Sequence, residues 1–120
     1  MSYLKRHAVR PRVDERTLLN RPGYHGDAYV RVYVEDTSTR TPRRRSDRPP
    51  ESRIVLRIAD CTNEISLSFE LASRGERENS LHKIETLLRA LQRFRDGLAA
   101  ESQLYARRER EIRQRPRAAA

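Results

Sequence analysis

Three runs of alternating apolar residues, followed by a long apolar stripe of a different period, leave this chain few ways to fold. Val30, Val32 and Val34 alternate with Tyr29, Arg31, Tyr33 and Glu35. Ile54, Leu56 and Ile58 alternate with Arg53, Val55, Arg57 and Ala59, and Ile65, Leu67, Phe69 and Leu71 alternate with Ser66, Ser68 and Glu70. From Leu81 the spacing changes to three and four, through Ile84, Leu88, Leu91, Phe94 and Leu98. A period of two marks a strand with one buried face, and a period near 3.6 marks a helix with one apolar stripe. The pattern predicts an α+β domain: a three-stranded antiparallel sheet packed on one long C-terminal helix.

The boundaries follow from the punctuation. Residues 1–27 read as a basic arm, because Arg10-Pro11, Arg21-Pro22-Gly23 and Gly26 interrupt any long element. Within it, Asp14 to Leu19 could form one helical turn. The first strand is expected from Ala28 to Asp36. Residues 37–52, with Arg43-Arg44-Arg45, Arg48, Pro42, Pro49 and Pro50 and no apolar anchor, read as a mobile loop inside a domain spanning 28–110. Asp60-Cys61-Thr62-Asn63 reads as the turn of a hairpin. Asn79 or Ser80 is the expected N-cap of the helix, which runs to about Arg108 or beyond, with Gly97 as a weak point and residues 111–120 as a disordered tail.

Element lengths carry a consequence. A helix of about 30 residues is ~45 Å long, whereas a strand of about eight covers ~27 Å. The sheet can cover only the first half of such a helix. Leu98, Leu104 and Tyr105 then need another cover, either the N-terminal arm or the same helix of a second subunit.

Charge is unevenly placed. The chain carries +9 overall, made of +6 in residues 1–50, −2 in 51–78 and +5 in 79–120. Basic flanks favour polyanionic or acidic partners. The excess of arginine over lysine is equally what a high-GC coding bias would produce. Cys61 is the single cysteine, so no internal disulfide and no cysteine-based zinc site is expected, and a reducing cytoplasm is the default compartment. No signal peptide is evident, and no apolar run approaches the ~20 residues that span a bilayer. A membrane partner is not expected.

Catalytic patterns are sparse. His7, His25 and His82 are scattered without ligand spacing, the four glycines fit neither phosphate-loop nor dinucleotide patterns, and no Gly-x-Ser-x-Gly elbow occurs. The expectation is a non-catalytic protein with no metal and no cofactor. Two binding surfaces stand out instead. Tyr29, Arg31 and Tyr33 share one face of the first strand with Arg53 and Arg57 of the second. With the Arg43, Arg44 and Arg45 loop, they could stack on bases and hold phosphates of a nucleic acid. Equally, tyrosine and arginine are ordinary on a solvated sheet face, and Arg31 or Arg57 could pair with Glu70. The second surface is the helix overhang, where Leu98, Leu104, Tyr105 and Arg108 could dock on a partner protein or on a second copy.

The run from Arg57-Ile58-Ala59-Asp60-Cys61-Thr62 through Ile65–Leu71 to Asn79-Ser80-Leu81-His82-Lys83-Ile84-Glu85, with its arginine-rich composition, resembles small uncharacterised accessory proteins of actinobacterial phages and mobile elements. The resemblance spans about residues 28–106 and implies an accessory or host-modulating protein of a bacterial cytoplasm. It supplies no site residues.

Overall fold

A computed structural model describes residues 10–39 and 50–116. The chain is α+β, with four antiparallel strands and one long C-terminal helix. Strands β1 (Arg10–Leu18), β2 (Tyr29–Asp36), β3 (Ile54–Asp60) and β4 (Asn63–Leu67) form a meander in the order β1-β2-β3-β4, and α1 spans Arg74–Gln114. The sheet and the start of α1, up to Ser80, form one compact unit, and α1 from Leu81 onward forms another. No helix among the described residues is long and apolar enough to cross a membrane.

The extra strand, β1, corrects two expectations: the three-strand count and the helical turn at Asp14–Leu19. The segment Arg10–Leu18 carries only Val13 and Leu18 as apolar anchors, so neither period was visible in it. What holds it is the ladder to β2, in which Val13 faces Val34, Glu15 faces Val32 and Thr17 faces Val30. Charge pairing across strands adds to this: Arg12 Nη2 lies 3.1 Å from Asp36 Oδ1, and Arg31 contacts Asp14. Pro11 is tolerated because β1 is an edge strand, and the ladder slips between Pro11 and Val13.

The expected hairpin is present. Asp60 pairs with Asn63, leaving Cys61 and Thr62 as a two-residue loop. Cys61 has φ 55°, a left-handed conformation that glycine adopts more readily. Strand β4 stops at Leu67, short of the expected Leu71.

Helix α1 begins six residues before the expected cap. Ser73 is the cap: its Oγ accepts from the Glu76 N–H at 3.1 Å, and its carbonyl accepts from the Arg77 N–H at 3.0 Å. Ser73-x-x-Glu76 is a capping-box sequence that the apolar periodicity did not reveal. Ser80 has a different task. It is buried and donates through Oγ to the Glu70 carbonyl at 2.7 Å, fastening the first turns to the exit of β4. At the other end α1 continues through residues 111–114, where a tail was expected, and stops two residues before Pro116.

Burial is the main surprise. Paired residues of an antiparallel sheet share a face. One face therefore gathers Val13, Val30, Val32, Val34, Ile54, Leu56, Ile58, Ile65 and Leu67. The other gathers Asp14, Arg16, Tyr29, Arg31, Tyr33, Val55, Arg57, Ala59 and Glu64. Both faces are mixed: the second holds the most buried side chains beside the exposed Asp14, Arg16 and Glu64, and the apolar positions of the first are half-buried except Ile65. Tyr33, Glu35 and Ala59 are buried, at 7%, 6% and 3% exposure, whereas Ile65 on the apolar face is 58% exposed. No large side chain among the described residues is fully buried.

Glu35 closes the mouth of the β2–β3 connection. Its backbone N–H donates to the Arg53 carbonyl, its carbonyl accepts from Ser52 Oγ, and its Oε1 accepts from the Arg53 N–H at 3.1 Å. Glu35→Ala is expected to cost about 1–3 kcal/mol in urea unfolding, the range for orphaning a buried donor. Asp36 is held below the ordinary carboxylate range, chiefly by hydrogen bonds from Ser38, with Arg12 and Arg10 adding attraction. A lowered folded-state pKa stabilises above the unfolded value and is lost as pH falls through the folded one. The stability gap between wild type and Asp36→Asn should therefore close as pH drops through the carboxylate range; a gap that widens in acid would contradict this.

Candidate functional site

The Tyr/Arg face assembles as the alternation predicts, and its arginines stand over the tyrosine rings while Arg16 and Arg53 remain exposed. Arg31 stands over the Tyr33 ring at 5.6 Å and Arg53 over the same ring at 5.4 Å. Arg16, from the strand that was not anticipated, lies 4.2 Å over the Tyr29 ring. These are cation–π distances, and the long arginine stems cover the ring beneath them. The tyrosine faces that a base would need are already taken by guanidinium groups.

The charges are committed as well. Arg31 contacts the Asp14 carboxylate and donates to the Glu15 and Val32 carbonyls at 3.1 and 3.0 Å. Arg57 Nε sits 2.9 Å from Glu64 Oε1, without the alignment of a directed hydrogen bond. The partners are thus Asp14 and Glu64 rather than Glu70. Arg43, Arg44 and Arg45 lie outside the described residues. Near the base of that loop an open groove of about 710 Å³ is lined by Thr37, Ile54, Phe69, Leu71 and Arg77. Two of its polar groups serve the fold: Ser52 bonds Glu35, and Arg77 donates to the Leu71 carbonyl.

The helix places its candidates differently. Ile84, Leu91, Leu98, Tyr105 and Ile112 recur at intervals of seven along α1. Leu91 is 49%, Leu98 60%, Tyr105 67% and Ile112 63% exposed. Burial in the first half of the stripe is only partial: Leu81, Leu88 and Phe94 are exposed, whereas Ile84 and Leu87, like Leu104 further along, are half-buried. Leu98 and Tyr105 share the seam. Leu104 lies about 100° around the helix from Tyr105, and Arg108 flanks the seam.

One grouping had no signal in the sequence. The β2–β3 ladder pairs Tyr29 with Ala59, which brings the β1–β2 connection to the β3–β4 turn. His25 thereby reaches Cys61, with its two ring nitrogens 3.9 and 3.8 Å from Sγ, and Asp60 joins them. The Cys61 N–H donates to the Asp27 carbonyl at 3.2 Å, and Asn20 Nδ2 lies 3.3 Å from His25 Nε2. Cysteine, histidine and asparagine together suggest a thiol nucleophile. The surroundings oppose one: desolvation pushes the Cys61 thiol up, and the charges of Asp60 and Asp27 push it further. An activated thiol needs the reverse.

Because Tyr33 is structural and Tyr29 is a partly covered rim residue, their alanine variants should behave differently. Tyr33→Ala is expected to lose about 2–4 kcal/mol in denaturant unfolding, whereas Tyr29→Ala should lose about 1 kcal/mol, the scale of one exposed cation–π contact. Equal small losses would mean that the Tyr33 ring is not a packing element.

No protein family matches this sequence, and no curated protein or solved structure proved similar to it.

Proposed function

We propose that this is a non-catalytic assembly protein whose long helix is its docking surface, with the helix of a second copy as occupant. The observation that carries this reading is the seven-residue line Ile84, Leu91, Leu98, Tyr105 and Ile112, half-buried at Ile84 and exposed at the other four. A strict seven-residue repeat drifts about 20° per heptad on a straight helix. Two such helices keep their seams in contact by supercoiling around each other, which is the geometry of a coiled coil. Leu81, Leu87, Leu88 and Phe94 widen the seam over its first half.

Magnitudes favour association. From Ile84 to Ile112 the seam is ~42 Å long at 1.5 Å per residue. Covering one such side chain contributes roughly 1.5 kcal/mol. Five from each of two copies give on the order of 15 kcal/mol gross, against an association cost of about 4–15 kcal/mol. The flanking leucines and Phe94 tip the balance. Most helical stability in proteins comes from packing of an apolar face, so a 41-residue helix with this much exposed apolar surface is best explained by a partner along it.

Nucleic-acid binding is the second reading. The charge of +9 and the arginines near the helix end, Arg107, Arg108 and Arg110, favour attraction to a polyanion. The paired state of Arg31 and Arg57 and the burial of Tyr33 speak against the sheet face as a base-stacking platform.

Sedimentation velocity tests the first reading. Wild type should sediment as a dimer at micromolar concentration, Leu91→Asp/Leu98→Asp as a monomer, and Arg93→Glu, off the seam, as a dimer. A wild-type monomer at every concentration, or a double variant that still dimerises, would refute self-pairing. Oligonucleotide binding that survives physiological salt in a monomer would favour the second reading.

A further inference from the structure

The Cys61, His25 and Asp60 grouping has a use that the assembly reading does not absorb. We propose that these three side chains form a binding site for a single borderline-soft divalent cation of the zinc type, clipping the β1–β2 connection to the β3–β4 turn.

The donor set is the first argument. A thiol sulfur, an imidazole nitrogen and a carboxylate oxygen all lie within 4.8 Å of one another. That combination suits zinc, which takes sulfur, nitrogen and oxygen ligands together, and suits magnesium or calcium poorly. Three protein ligands with an open fourth position is a known arrangement for this ion.

Geometry is the second. With Zn–S of about 2.3 Å and Zn–N of about 2.0 Å, a tetrahedral angle separates sulfur from nitrogen by roughly 3.5 Å. The observed separations of 3.8 and 3.9 Å are within a few tenths of an ångström of that, and because the sulfur stands nearly equidistant from the two nitrogens, ligation also requires the imidazole to turn so that one lone pair faces the ion. Asn20 stands at the Nε2 edge of the ring, which leaves Nδ1 as the open nitrogen.

Placement is the third. The ligands come from two connections that the β2–β3 ladder holds side by side, and the Cys61 N–H to Asp27 carbonyl bond ties those connections together. Asp27 and Asp60 place two carboxylates at this end of a chain whose net charge is +9. Cys61 also occupies a left-handed turn position where glycine would be less strained. Binding releases the thiol proton to solvent and changes no oxidation state.

Zinc chloride alone, titrated calorimetrically into the full reduced chain, tests the proposal, with cobalt(II) as the spectroscopic probe. One ion per chain should bind with micromolar affinity. Cobalt should show the intense bands of a tetrahedral thiolate site. Cys61→Ser, His25→Ala and Asp60→Asn should each weaken binding about tenfold or more, the scale seen when support for a metal ligand is lost. Cys61→Gly separates ligation from folding. Its metal-free melting temperature should match or exceed that of wild type, because the turn relaxes, while the zinc-induced rise in melting temperature disappears. Absence of saturable binding, binding indifferent to all three substitutions, or one ion per two chains would overturn the proposal.

Discussion

The packing of Arg31 and Arg53 on Tyr33 makes that ring the most buried large side chain of the sheet. β2 is flanked by β1 and β3, so its two faces compete for whatever cover the chain provides. Guanidinium groups with long apolar stems cover one face from within the sheet itself. Asp14 and Glu64 then balance the charge that this brings together. The valine face receives no such cover from its own neighbours, because short branched side chains cannot fold over one another. The most buried large side chain of the sheet, Tyr33, therefore lies on the polar face, while the apolar face is half-buried.

The remaining apolar surface follows from that choice. The most buried of the described residues are two alanines, one tyrosine, a glutamate and a serine, and the apolar strand residues are mostly half-buried, so the core of a single copy is thin. Apolar area is the dominant favourable term in folding, and the proposed pairing of two copies would cover part of what one copy leaves exposed. The heptad line on α1 is the surface best shaped for that, because it is continuous, long and self-complementary. The Cys61 grouping is a local device at one end of the sheet and is independent of this balance.

Much of the architecture was legible in the alternation and the change of period. β2, β3, the tight turn at Cys61-Thr62 and the existence of α1 all followed from apolar spacing, as did the gathering of Tyr29, Arg31, Tyr33, Arg53 and Arg57 on one face. β1 was not legible, because an exposed edge strand needs no apolar period and draws its stability from backbone pairing and ion pairs. The start of α1 was missed because its signal was polar, in Ser73-x-x-Glu76, rather than apolar. The burial of Tyr33 depends on arginines from neighbouring strands folding over it, and the meeting of His25 with Cys61 depends on strand register. Neither is encoded in local spacing.

The dependence of stability on protein concentration tests the central claim most directly. If the chain completes its apolar burial by pairing with a second copy, the urea midpoint must rise as total protein rises, since association stabilises the folded state by mass action. The account predicts a midpoint that climbs steadily over a hundredfold increase in concentration, with the helical and the sheet signals both retained on the folded side. A cooperative transition whose midpoint stays fixed across that range would show that one copy is sufficient, and would contradict it.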